Sequence, residues 1–337
     1  MEITVKGMRT LANEPVFIKT DNVPDNIQSA FDGDGNCYPA QKYNDGVIII
    51  ADIERNATKK YTLSEEKFDC GVEIDDFNIH IDGKYFTSYV CGDKNTKPYL
   101  GPVMTSFGES FTRLDLEAKE HNHHRSVFLG IGDVNGKDFW NENKQVFKQI
   151  TRISNGSAFA EISALNVWKS DDGVPFIDEE RGFIIYNQSE NCRYIDMTIK
   201  FTASYGDIKI GATKEAGPLG IRVNEVLRVD KGTGRMVNSY GAESEAECWG
   251  RSANWCDYSG EINGNPCGIA VFDNESNERY PTAWHIRDYG LFAPNNLLFK
   301  GGFDIPVGES ITYKYRICFH EGEFCAKDKF LQYVNQK

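Results

Sequence analysis

An all-β fold, a large antiparallel β-sandwich preceded by a smaller one, is what this sequence predicts, on three observations. Short alternating segments recur along the whole chain. Gly and Asn punctuate them at regular spacing. Helical periodicity is confined to two stretches, Glu142 to Ile150 and Ala326 to Val334. Strand-sized apolar segments bounded by turn residues cannot bury a face alone, so they pair into sheets and stack in layers.

Residues 1–68 hold three such segments, Glu2 to Lys6, Pro15 to Lys19 and Val47 to Ala51, which suit a small β-sandwich-type N-terminal domain. Asp32-Gly-Asp-Gly-Asn36 opens like a calcium loop. However, Tyr43 stands at the twelfth position, where an EF-hand needs Glu, so the loop reads as a turn. Residues 69–337 continue with Phe77 to Asp82, a hairpin turn at Gly83, and Lys84 to Val90. Ala158 to Trp168, Gly182 to Tyr186, Tyr194 to Thr202, Gly268 to Phe272 and Glu309 to Ile317 follow the same pattern. This span exceeds the roughly 100 residues of an immunoglobulin-type sandwich, so the second domain is expected to be a large multi-stranded one.

Charge narrows the partners. Lys and Arg number 37 against 50 Asp and Glu, a net charge of −13 with no basic block. Such a field repels phosphate backbones and anionic lipid, which argues against nucleic acid and membrane surfaces. No segment approaches the roughly 18 consecutive apolar residues of a membrane span, and MEITVKGMRTLANE lacks a signal peptide's apolar core. The 9 cysteines are odd in number and scattered, with no C-x-x-C. Reduced thiols in a cytoplasmic protein are therefore expected.

Polar clusters carry the chemistry. The first is HNHHRSVFLGIGDVNGKDFW, which puts His121, His123, His124 and Arg125 before the apolar run Val127 to Ile131, and Trp140 after it. Three of the chain's 6 histidines fall within four residues. On an extended strand residues two apart share a face, so His121 and His123 are expected to point one way and His124 the other. The His121 and His123 pair could then also ligate a divalent transition metal with help from another loop. Three more clusters are expected on loops. Gly211 to Arg222 carries Lys214, Glu215 and Arg222, without the order of a phosphate loop. Glu247 to Gly260 carries Arg251, Trp255 and Asp257. Ala283 to Phe292 carries Trp284, His285, Arg287 and Asp288.

Taken together, H-x-H-H-R…G-D-V-N-G-x-D-F-W, T-K-E…G-I-R-V, W-G-x-x-A-x-W-x-D-Y-S-G and W-H-x-R-D-Y-G-L-F, with the preceding K-P-Y-L-x-P-V, resemble the uncharacterised bacterial family labelled PmoA-like. The resemblance covers roughly residues 71 to 320; Cys256 departs from it, where members often carry an apolar residue. The label points to a methane monooxygenase subunit, an integral membrane protein. A chain without a spanning segment makes that label a misnomer. What the resemblance implies instead is a sandwich similar to the galactose-mutarotase-like superfamily, a scaffold of sugar epimerases, polysaccharide lyases and several glycosidases.

The expected function is a carbohydrate-active enzyme, a lyase or epimerase acting on a keto- or uronic sugar or glycoside. Proton abstraction needs a base near neutral pKa and a partner acid, and histidine is poised for that. His121, His123 and His285, with Asp257, are the expected catalytic groups. His124, Arg125, Lys214, Glu215, Arg222, Arg251, Arg287 and Asp288 would bind substrate, and Trp140, Trp255 and Trp284 would stack on pyranose rings. Hydrolysis wants two facing carboxylates, and no feature picks out such a pair. Ser126 lies near the histidines without the G-x-S-x-G of a serine hydrolase. The alternative is a non-catalytic carbohydrate-binding or sensing protein, which would use the same aromatics without needing several imidazoles.

Overall fold

The computed structural model describes residues 1–92, 97–113, 120–141 and 143–334. It is built almost wholly of antiparallel strands. A six-stranded sheet runs in the order Glu2–Lys6, Thr58–Ser64, Ser29–Asp32, Cys37–Tyr43, Gly46–Ile53, Leu11–Lys19. Its own core gathers Ile3, Val5, Val16, Val47, Ile49, Tyr61 and Leu63. The Asp32 loop is a turn. Its carboxylate accepts the amides of Asp34 and Asn36 at 3.0 and 2.9 Å, and Lys59 pairs with it at 2.8 Å.

Two eight-stranded sheets form the larger body. One has the order Ala283–Ile286, Leu291–Asn295, Ala216–Arg222, Val127–Ile131, Tyr99–Leu100, Lys84–Val90, Asn78–Ile81, Val72–Asp75. The other runs Lys144–Ser154, Phe159–Lys169, Pro175–Tyr186, Cys192–Thr202, Ser310–Glu321, Asn265–Asp273, Trp255–Ile262, Arg235–Asn238. Alternate residues of both sheets meet in one core, with Val127, Leu129, Ile221 and Phe292 facing Ile162, Phe183, Ile195 and Phe319. That is the face-to-face packing of an all-β sandwich.

Of the two expected helices, Ala326–Val334 forms and packs Phe330 and Tyr333 over the outside of the second sheet. The stretch expected to be helical from Glu142 to Ile150 is instead an edge strand, Lys144–Ser154, with Glu142 itself outside the described residues. A ladder to Phe159–Lys169 along the strand's whole length outweighs a weak helical pattern, and Val146, Phe147, Ile150 and Ile153 suit a pleated surface.

A buried ion pair sits in the sandwich core. Arg181 and Glu179 are 1% and 0% exposed and pair bidentately, Nε to Oε1 at 2.6 Å and Nη2 to Oε2 at 2.8 Å. Trp168 Nε1 donates to Glu179 Oε2 at 2.7 Å, and Arg181 also reaches Pro98 O at 2.8 Å and Gln145 Oε1 at 3.1 Å. Gln145 passes the connection on to Leu129 O at 2.9 Å. A pair in the second sheet thus fixes two main-chain segments of the first.

Candidate functional site

The apolar run forms the predicted strand Val127–Ile131. Val127, Leu129 and Ile131 enter the core, while Phe128 and Gly130 face outward. The outer face is floored by glycines because aromatic rings lie flat on it. A Cβ on Gly220 would stand 2.8 Å from the Phe128 ring, and one on Gly130 would stand 3.0 Å from Trp140.

Residues His121 to Ser126 do not continue the strand. His121 and Ser126 have φ of 49° and 53°, and the His124 amide donates to His121 O at 3.0 Å. Left-handed backbone at both ends abolishes the two-residue alternation. The expectation that His124 points away from His121 and His123 is therefore corrected: all three rings gather. Arg113, 4% exposed, holds this turn from behind, with Nη2 bonded to His124 O at 3.1 Å and to His121 O, and Nη1 to Glu120 O at 3.2 Å.

The rings form a nest. His121 stacks on Tyr289 with centroids 4.5 Å apart, and on His124 at 5.0 Å. His123 meets His124 edge to face at 4.3 Å. Trp140 lies 5.3 Å from His124 and 6.0 Å from His285, which arrives from the strand Ala283–Ile286. Three imidazoles from one stretch thus touch one another, and His285, from a distant stretch, meets the same Trp140 ring. Lone pairs lie in the ring plane, and the stacked His121 and His124 present faces to each other; the His121 and His123 centroids are 6.0 Å apart. Among the described residues no group of three or more His, Cys, Asp or Glu is placed to hold a metal ion.

Burial decides the charge of these rings. Burial, then the charges of Arg287 and Lys214, push His285 down to about 4. Burial, then the field of Lys97, takes His123 to about 4. Burial and the neighbouring imidazoles hold His124 far below its usual value, and His121 is lowered by burial and by Arg222. All four are neutral at pH 7. The Lys214 main chain beside the His285 ring offsets only part of that lowering, and His285 Nδ1 is buried without a partner. His121 Nδ1 and both nitrogens of His124 are likewise buried and unpartnered.

A stability prediction follows with its sign. The folded-state pKa of each ring lies below the unfolded value near 6.5, so the unfolded chain binds more protons between about 4 and 6.5. Stability is full above that window and falls as pH drops through it. The expected result is a melting temperature that declines from pH 6.5 to 4.5 and declines less in the double variant His123→Asn, His285→Asn. Equal slopes would contradict it.

The cationic candidates divide. Arg222 is fully buried, bonds Glu225 at 2.9 Å, and lies over the Tyr289 ring at 5.1 Å. Arg287 caps the same ring at 5.5 Å and pairs with Glu245 at 3.0 Å. Lys214 pairs with Glu215 at 3.2 Å and lines a narrow cleft with His285, Trp249 and Phe299. Arg125 is half-buried beside the nest, and the Asp288 amide bonds Glu245 at 2.6 Å.

Four candidates lie elsewhere. Asp257 sits on the outer face of the second sheet and bonds His320 Nε2 at 2.8 Å, bridging the strand between them at Gly268. Trp255 shares that face beneath the C-terminal helix. Trp284 is in the sandwich core, where its indole N–H donates to Ala253 O at 2.9 Å. Arg251 is exposed, outside the nest. The reason is parity. Trp255–Ile262 and Ala283–Ile286 are strands rather than loops, so neighbouring residues of one motif are sent to opposite faces. Ala216–Arg222 is likewise a buried strand. Motif inspection missed Tyr289, Phe128, Lys97 and Arg113. The first three lie inside or beside the quoted motifs and were legible as neighbours; nothing local marks Arg113.

Residues 76–333 match the model of a family of unknown function, DUF6807. The chain belongs to DUF6807. The matched span includes every residue of the nest. No curated protein matches the chain.

Proposed function

We propose that this DUF6807 member is a carbohydrate-active lyase or epimerase that removes a proton next to the carbonyl or carboxyl group of a keto- or uronic sugar or glycoside. The observation that carries the reading is the state of His285. Its ring is neutral and its Nδ1 is buried with no partner, and it meets the Trp140 ring that His123 and His124 also meet. A neutral imidazole accepts a proton, and an anionic substrate beside it raises its basicity from the low value that burial imposes. In the proposed step, His285 Nδ1 takes the carbon-bound proton and the electron pair moves onto the adjacent carbonyl or carboxylate oxygen. In a lyase the electrons return to form C=C and expel the group on the next carbon, which leaves with a proton from a ring N–H of the nest. In an epimerase the carbon is reprotonated on the opposite face. The Arg222 and Arg287 charges over Tyr289 favour the anionic intermediate.

The motif resemblance to the PmoA-like family, and through it to galactose-mutarotase-like sandwiches, supports the same reading by analogy of fold alone. A methane monooxygenase role is not proposed; among the described residues no helix is long and apolar enough to cross a membrane. The alternative, a non-catalytic carbohydrate-binding protein, would stack sugars on rings other than Trp140, Trp255 and Trp284, which are 2%, 8% and 1% exposed. The test is a panel of uronate glycosides, polyuronides and keto-sugar glycosides. Ultraviolet absorbance from a new conjugated C=C, or an epimer seen by NMR, is expected with at least one. A folded protein that produces neither across the panel contradicts the reading.

A further inference from the structure

Lys97 is fully buried, which is rare for a lysine without an anionic partner. Its amine donates to the main-chain oxygen of Trp140 and lies 5.6 Å from the centroid of the Phe128 ring. Phe128 and Trp140 pack against each other at 5.4 Å and both touch His124, so the amine is buried against the rings that hold His124. No carboxylate among the described residues pairs with it. The charged groups that bear on it are Asp138, which favours its charge, and Arg125, which opposes it; His123 feels its field in turn. Burial outweighs Asp138 and brings the amine down to about 7. An ammonium here lacks a counter-charge, and a neutral amine here is primed to acquire one.

We propose that the site takes an anionic sugar, a uronate, and that Lys97 receives its carboxylate, taking up a proton from solvent as the pair forms. This rests on the sugar reading of the site and narrows it to the uronic class. The nest as a whole favours such a ligand. Arg222, also fully buried, has Nε and Nη1 without partners, and four neutral imidazoles nearby gain basicity once an anion is beside them. A neutral sugar would leave the Lys97 amine as it is.

Isothermal titration of glucuronate and galacturonate at pH 8, in two buffers of different ionisation enthalpy, tests the proposal. The full chain is expected to bind at least one of them with net proton uptake and to bind glucose at least 10-fold more weakly. Lys97→Met should fold, lose the proton uptake and lose most of the preference for uronate over glucose. Lys97→Arg carries its charge permanently and should keep some uronate affinity with no uptake at Lys97. Uptake that is unchanged in Lys97→Met, or glucose bound as tightly as the uronates, overturns the assignment. Uronate binding with proton uptake but no turnover would retain Lys97 and remove the lyase or epimerase reading; turnover of keto sugars without uronate binding would do the reverse. If Lys97→Met does not fold, the Lys97 titration is read directly by NMR of the full chain carrying 13C-methylated lysines. A midpoint near 7 that rises with uronate supports the proposal, and an ordinary lysine value overturns it.

Discussion

His285→Gln is expected to lower turnover of a reactive uronate or keto sugar by roughly 100-fold or more, the usual contribution of a positioned general base. Gln keeps a polar side chain of similar size but has no basic nitrogen, so the loss falls on the basicity of the imidazole. His123→Gln should show a smaller fall, because that ring is less buried than His285 and meets its neighbours edge-on. His80→Gln is the control, since His80 contacts Tyr85 at 5.7 Å and lies outside the nest. Steady-state kinetics beside circular dichroism separate chemistry from folding. A His285→Gln protein with near-native kcat would remove His285 as the base.

The largest expected stability loss lies in the core. Glu179→Ala strips the carboxylate from a guanidinium that is 1% exposed and leaves a buried uncompensated charge. Breaking such a pair from one side costs ~3–5 kcal/mol, and the Trp168 indole N–H loses its acceptor as well. Urea unfolding should show the midpoint falling with little change in slope. The double variant Glu179→Met, Arg181→Met should recover much of the loss, because it removes the stranded charge rather than exposing it. Equal destabilisation of single and double variants would mean that the Arg181 bonds to Pro98 and Gln145, rather than the ion pair, carry the stability.

How much of this was legible in sequence follows from what periodicity can carry. Val127–Ile131 and Lys84–Val90 have the expected bounds because a short apolar or alternating run between turn residues has few alternatives. Lys144–Ser154 was misread because an edge strand is half solvated and its partner lies outside the local window. The site was legible as composition but not as geometry. The rings of His121, His123 and His124 meet and His285 reaches the same Trp140 ring, while Asp257, chosen from an equally polar motif, lies on the outer face of the other sheet. That outcome turned on strand parity, which a cluster of letters does not encode. The gathering of three adjacent histidines depended on left-handed backbone at His121 and Ser126, conformations that neither residue type announces.

Hydrogen exchange at the sugar carbon tests the central claim most directly. A reactive uronate or keto sugar is incubated with the protein in D2O and followed by proton NMR. Proton abstraction by the histidine nest predicts loss of the signal next to the carboxyl or carbonyl group, at a rate that collapses in His285→Gln. No exchange and no product across the sugar panel, with the wild-type protein folded, would contradict it.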